Sequence, residues 1–482
     1  MGRGFRATKS LEELQAENNQ ATAKFKKMLS SWHLVALGIG VVVGAGIFVM
    51  TGQVAAQHTG PAIVLSMAIA SFVCIFAGVC YAEFAALLPV SGGAYSYTYF
   101  TMGEFLAWII GWNLMLEYLF GASAVAVGWS GYLASFLNDL GLPLADALTN
   151  PTFQWNAANH RLVFSPSFNL PAVLIILALS GLLTVGIKAS TRFNNVIVAI
   201  KLIIIVLFIT CGLTAINPSN WVPFLPANTG DFGQFGWSGV LRGAGIIFFA
   251  YLGFDAISTA TQETKNPQRD MPRGIIGAIV VTTILYMAVG IILTGIVHYP
   301  ELNVPDPIAV AVNALGPSLA KLRTLIKFGI VAGITSVILV MIYAQSRIFY
   351  AMAKDDLLPA FFGHLNPRFK TPTVGIWITA LICILMAGLF PIGILGEMVC
   401  VGTLFAFGSV CLCVLILRST KPDLPRPFKV PAVKWVTIIG AILSYGQIAF
   451  LSPGTMIRFF GWSAVGIIIY LCYGRFSHQR KG

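Results

Sequence analysis

The chain has 482 residues, of which 57% are hydrophobic and only 10% charged, and its formal net charge is +12. With a mean hydropathy of +0.82, this balance excludes an ordinary soluble domain and requires most of the chain to face lipid or itself. The eight cysteines fall in apolar spans and read as small buried hydrophobes, while the six histidines are scattered. No disulfide framework, metal-ligand spacing, or nucleophile paired with a base is visible, so no cofactor is implied and an enzyme is not indicated.

Residues 1–31 are polar, without an apolar core or a small-residue cleavage site, and read as a cytoplasmic N-terminal segment rather than a secretory signal. Glu12 to Lys27 has the composition of a short surface helix. Apolar runs of about 20 residues, enough to cross a hydrocarbon core of about 30 Å, then recur about twelve times. They cover 33–56, 61–88, 105–135, 170–187, 194–215, 238–262, 274–298, 325–352, 373–390, 394–417, 431–451 and 456–474. The result is an all-α integral membrane protein, with one transmembrane domain over 32–475 and a tail at 476–482. The longest connection, 136–169, contains Pro143, Pro151 and Pro166 and reads as an ordered or partly ordered loop.

The basic residues sit in alternate loops. Lys24, Lys26, Lys27, Lys188, Arg192, Lys265, Arg269, Arg273, Arg347, Lys354, Arg418 and Arg426 fall on one side, and Arg161, Arg242, Lys321, Arg323, Lys327 and Arg458 on the other. The positive-inside rule puts both termini in the cytoplasm and assigns the excess charge to topology, leaving no case for nucleic acid.

The first span carries GIGVVVGAGIF at 38–48, and the sixth carries FFAYLGFDA at 248–256. They lie five spans apart, so two halves at about 33–215 and 238–417 would have opposite orientation, with extra helices over 431–474. Inverted repeats with helices interrupted at matching places point to alternating access. Glycine costs about 1 kcal/mol relative to alanine in a helix, so unwinding at Gly44, Ala45 and Gly46 is cheap. The freed amides and the positive end of the outer half-helix suit a carboxylate, and freed carbonyls suit an ammonium. The GxxxG spacing of Gly40 and Gly44 serves close helix packing equally well.

Ionisable groups at membrane depth are costly and mark pathways. Asp255 follows the second interruption, and Glu117 lies near the middle of span three. Glu83 and Arg347, nearer the cytoplasmic interface, read as structural. Lys201, roughly 13 Å into span five, either snorkels to the surface or faces the bundle, where it would exchange a proton during transport.

Four motifs, GIGVVVGAGIF at 38–48, YAEFAALLPVSGGAYSYTY at 81–99, FFAYLGFDAISTATQETKNPQRDMPRGI at 248–275 and QSRIFYAMAKDDLLP at 345–359, extend a resemblance over nearly the whole chain. The sequence resembles the amino acid, polyamine and organocation transporter superfamily, and within it the cationic amino acid transporter branch. That resemblance implies a five-plus-five inverted repeat with helices one and six unwound, followed by two more helices. It further implies a secondary active amino acid permease in the plasma (inner) membrane. The substrate carboxylate would meet the backbone of Gly44, Ala45 and Gly46, and the ammonium would meet carbonyls of Val42, Val43, Phe249, Ala250 and Leu252. Phe249 would cover the site, with Glu117 and Asp255 near the substrate side chain. In sodium-coupled relatives helix-eight hydroxyls hold a cation, and Thr335 and Ser336 occupy that stretch here; in proton-coupled relatives a lysine on helix five replaces it, and Lys201 matches. The expectation is proton-coupled or sodium-independent transport, with exchange, or a channel or receptor, as the alternatives. Ala45 stands where some bacterial relatives have a hydroxyl residue. Glu117 and Asp255 suit a cationic substrate, and equally a neutral one if they are protonated or already paired.

Overall fold

The computed structural model describes residues 29–88, 93–156, 161–185, 190–255, 257–258, 264–316, 320–369 and 371–474. Glu12 to Lys27, Lys188 and the tail at 476–482 lie outside them. The protein is an all-α multi-pass membrane protein. Seven helical runs are long and apolar enough to cross a bilayer, and shorter apolar helices cover Ser31–Val42, Leu170–Val185, Thr373–Leu389 and Val433–Ala449.

The helices are α1 (Ser31–Val42), α2 (Ile63–Leu87), α3 (Glu104–Asp139), α4 (Leu170–Val185), α5 (Ser190–Gly212) and α6 (Gly236–Ile247). They continue as α7 (Pro267–Ile296), α8 (Ala320–Lys354), α9 (Thr373–Leu389), α10 (Ile392–Thr420), α11 (Val433–Ala449) and α12 (Pro453–Ile469). The helices follow the apolar runs except in span one, expected over 33–56, where α1 stops at Val42, and in span six, expected to reach 262. There α6 gives way to a 3-10 turn ending at Tyr251.

Local sequence explains several of the joints. After α1 the chain resumes as helical turns from Gly46 to Thr59, and Gly60, at φ +57°, then reverses it into α2. That conformation favours glycine. Proline opens α7 and α12, where its missing N–H costs nothing, and Ser452 accepts from the Thr455 amide at 3.2 Å to cap α12. The described residues of the 136–169 connection include a short helix, Asp146–Thr149, and strand β1 (Phe153–Asn156) paired antiparallel with β2 (Arg161–Phe164). Of the cysteines, Cys211 is half-buried and Cys472 exposed, which corrects the expectation that all eight are buried.

Buried polar contacts fix the bundle. Glu83, 2% exposed on α2, takes a bidentate pair from Arg418 of α10 at 2.8 and 3.0 Å. It also accepts from the Val430 amide at 2.7 Å and faces Arg426 at 3.4 Å, so its structural reading holds. Indole donors of α3 meet α12: Trp108 bonds the Gly466 carbonyl and Trp112 the Trp462 carbonyl, each at 2.8 Å. Tyr470, just beyond α12, donates to buried Glu104 at 3.0 Å.

Candidate functional site

The site is built where α1 and α6 stop. Val43 ends α1 in an extended conformation, and a π turn over Gly46–Met50 restarts the helix. Among the described residues no backbone acceptor lies opposite the amides of Gly44 or Ala45. On the other side, α6 tightens into the turn Phe248–Tyr251, Leu252 is extended, and Gly253 has φ +93°.

The two breaks touch. A Cβ on Gly46 would lie 2.2 Å from Ala250 Cα, and one on Gly253 would lie 2.5 Å from Val41. Gly253 is thus demanded twice, by its left-handed backbone and by the neighbouring chain. Close packing also holds at Gly40, against Val198 of α5 at 2.3 Å, and at Gly44, against Val337 of α8 at 2.9 Å. Unwinding and packing, which sequence left as alternatives, are both present. Val42 is 5% exposed, Leu252 4% and Phe249 3%, so these residues of the break are buried.

Its free carbonyls are already used. Lys201, 1% exposed, donates through Nζ to the Gly40 carbonyl at 2.9 Å and the Val43 carbonyl at 3.0 Å. Its stem crosses α8 at Gly333, where a Cβ would lie 2.9 Å from Lys201 Cγ. Lys201 therefore faces the bundle and does not snorkel. Tyr286 of α7 places its hydroxyl 2.9 Å from the Val42 carbonyl and 2.8 Å from the Ala250 carbonyl. Sequence reasoning missed Tyr286. A tyrosine in mid-helix needs a partner for its hydroxyl when buried, and that was the available signal. The Phe249 carbonyl accepts from the Leu252 amide at 3.3 Å.

Glu117 lies on a π turn inside α3, over Leu116–Phe120, and is fully buried. Neither carboxyl oxygen has a hydrogen-bond partner of normal geometry among the described residues. A carboxyl at that depth is costly unless it is paired or wetted. Asp255, 5% exposed, is close enough to interact electrostatically with Glu117 and accepts from Tyr118 at 3.2 Å. The structure thus brings Glu117 and Asp255 together.

The helix-eight hydroxyls are engaged elsewhere. Thr335 accepts from the Trp129 indole at 2.9 Å and donates to the Val331 carbonyl at 2.8 Å; Ser336 donates to the Gly333 carbonyl at 2.9 Å. The side chain that reaches the junction of α1 and α8 is Lys201.

The profile of the amino acid permease family matches residues 29–474. The chain belongs to that family. The permease is 44% identical to the methylthioribose transporter of Bacillus subtilis (strain 168), over 97% of both chains. It is 40% identical to the branched-chain amino acid permease BcaP of the same organism, again over 97% of both. It is 36% identical to the vacuolar cationic amino acid transporter 4 of Arabidopsis thaliana, over 86% of the permease and 67% of that relative. Proteins of this family are transporters. The permease is thus an amino acid transporter by family.

Proposed function

We propose that the permease is a secondary active, proton-coupled or sodium-independent amino acid transporter working by alternating access. Its repeats would cover 33–215 and 238–417, with 431–474 appended and both termini on the cytoplasmic side of the plasma membrane. The observation that carries the coupling is the Lys201 ammonium, seated on the Gly40 and Val43 carbonyls beside Gly333 of α8. Charged, it holds the broken end of α1 against α5 and α8. Loss of its proton removes the charge-assisted part of both bonds and loosens that hold.

The substrate carboxylate would take the amides of Gly44, Ala45 and Gly46, consistent with their place at the start of the outer half-helix. The ammonium would compete with Tyr286 for the Val42 and Ala250 carbonyls, alongside Val43, Phe249 and Leu252, with Phe249 over it. Glu117 and Asp255 would face the side chain. The names of the relatives span branched-chain and cationic amino acids and, in one case, methylthioribose, which has no amino acid head group; an amino acid head group is what the site supports best.

The test is uptake into proteoliposomes with an imposed pH gradient and no sodium, using labelled leucine, alanine and arginine. Wild type should accumulate one of them, Lys201→Met should lose the dependence on the gradient, and Glu117→Gln should alter the preference among the three. Strict sodium dependence would overturn the coupling. Competition by methylthioribose but by no amino acid would overturn the head-group assignment.

A further inference from the structure

Away from the breaks, an open concavity of about 520 Å³ lies where the start of α7 meets the connection between α10 and α11. Arg269, Arg273 and Gln268 stand on its lining, and Pro272, Ile276, Gly277 and Phe428 supply its apolar part. The two arginines are one helical turn apart and both exposed, and neither has a carboxylate partner among the described residues. Asp270, the acid between them in sequence, is turned inward. It accepts from Ser31 at 2.6 Å and from the Asn266 amide at 3.3 Å. Lys429, beside Phe428, is exposed too.

A second feature continues the first. Positions 273, 280, 284 and 291 fall within about 20° of one line along a 3.6-residue helix. Val280 is 41% exposed, Ile284 63% and Ile291 39%. Below the arginines, therefore, α7 presents an unbroken apolar stripe outward to the hydrocarbon. A guanidinium pair at the interface above an apolar concavity and stripe matches a molecule with an anionic phosphate at one end and acyl chains at the other. A soluble anion would gain nothing from Phe428, Ile276 or the stripe.

We propose that this concavity binds an anionic glycerophospholipid, its phosphate held by Arg269 and Arg273 and its chain lying along Ile276, Val280 and Ile284. In the orientation proposed above the lipid belongs to the cytoplasmic leaflet. Because α7 carries Tyr286, such a lipid would steady the helix that meets both breaks.

The experiment uses the full-length purified protein, delipidated in mild detergent and titrated with short-chain phosphatidylglycerol or phosphatidylcholine. Readouts are lipid retained by native mass spectrometry and thermal midpoint. Each interfacial arginine contributes about fivefold to anionic-lipid affinity, so the pair predicts a preference for phosphatidylglycerol of roughly 25-fold. Arg269→Gln with Arg273→Gln should bring the two lipids to parity, and the double lysine variant should restore most of the preference while reporting on folding. Ile284→Ser should weaken both lipids together. Equal retention of the two lipids by wild type would overturn the proposal, as would equal stabilisation by inorganic phosphate or unchanged preference in the double glutamine variant.

Discussion

Gly46→Ala separates two explanations of the break by the sign of its effect. If Gly46 served only to weaken a helix, alanine there would gain about 1 kcal/mol of helix propensity. In the structure, however, the new Cβ would lie 2.2 Å from Ala250 Cα and 2.9 Å from its amide nitrogen. Carbon–carbon contact needs about 3.5 Å or more, so the ends of α1 and α6 would have to part by about 1.3 Å. The obstructing atoms are backbone and have no rotamer to escape into. Overpacking of this kind costs about 1–3 kcal/mol, which outweighs the propensity gain and leaves a net loss of up to about 2 kcal/mol. At the upper end of that range the close arrangement would be depopulated by a factor of about 30. Gly461→Ala is the control, since nothing stands within 4 Å of a Cβ at that position in α12; it should be neutral or slightly stabilising. Thermal unfolding in detergent and uptake in proteoliposomes read the comparison, with Gly46→Ala losing both stability and transport. Wild-type uptake and an unchanged midpoint in Gly46→Ala would refute the close approach of the breaks.

Tyr286→Phe leaves the Val42 and Ala250 carbonyls without their donor and should cost about 1–3 kcal/mol in the absence of substrate. The deficit should shrink at saturating amino acid if an ammonium takes the same carbonyls; a deficit independent of substrate would remove Tyr286 from the site. Glu83→Gln discharges the acid facing Arg418 and Arg426 and should lower stability by about 2–3 kcal/mol, seen as a lower thermal midpoint; an unchanged midpoint would show that the clamp does not stabilise the fold. Outside the spans, burial pushes the Asp306 carboxyl up from 3.8 to about 6, against the Ser135 hydroxyl and Lys327 ammonium that pull it down. An acid whose folded value is raised contributes stability that is complete below pH 3.8 and is lost as pH rises through about 6. Wild type should therefore lose stability relative to Asp306→Asn between pH 4 and 7, and parallel pH curves for the two proteins would refute the burial argument.

The interruptions were legible because glycine leaves its mark in any sequence: Gly44, Gly46 and Gly253 sit where the chain must unwind, turn left-handed or touch a neighbour. The depth of Lys201, Glu117 and Asp255 was legible for a similar reason, since charges are rare in an apolar run. Direction was not. Whether Lys201 turned inward depended on Gly333 leaving room on α8, and Thr335 was claimed by Trp129, a residue 206 positions away. The partners of Tyr286 were not legible, because they are backbone carbonyls on two distant segments, and backbone carries no letter. Helix periodicity places residues along an axis, but rotation about that axis is fixed by partners from elsewhere in the chain.

The fastening of α12 to α3 has a consequence for watching this protein at work. Side-chain bonds from Trp108, Trp112, Trp462 and Ser463 join the two helices, and Tyr470 adds one to Glu104 from just beyond α12. If α1 and α6 rock during a cycle, α12 keeps company with α3 and does not follow them. Its outward face, with Ile457 and Phe460 fully in view at 74% and 66% exposure, offers a stationary place for a probe. Distances measured from there to α6 would read the stroke itself, free of any drift of the reference.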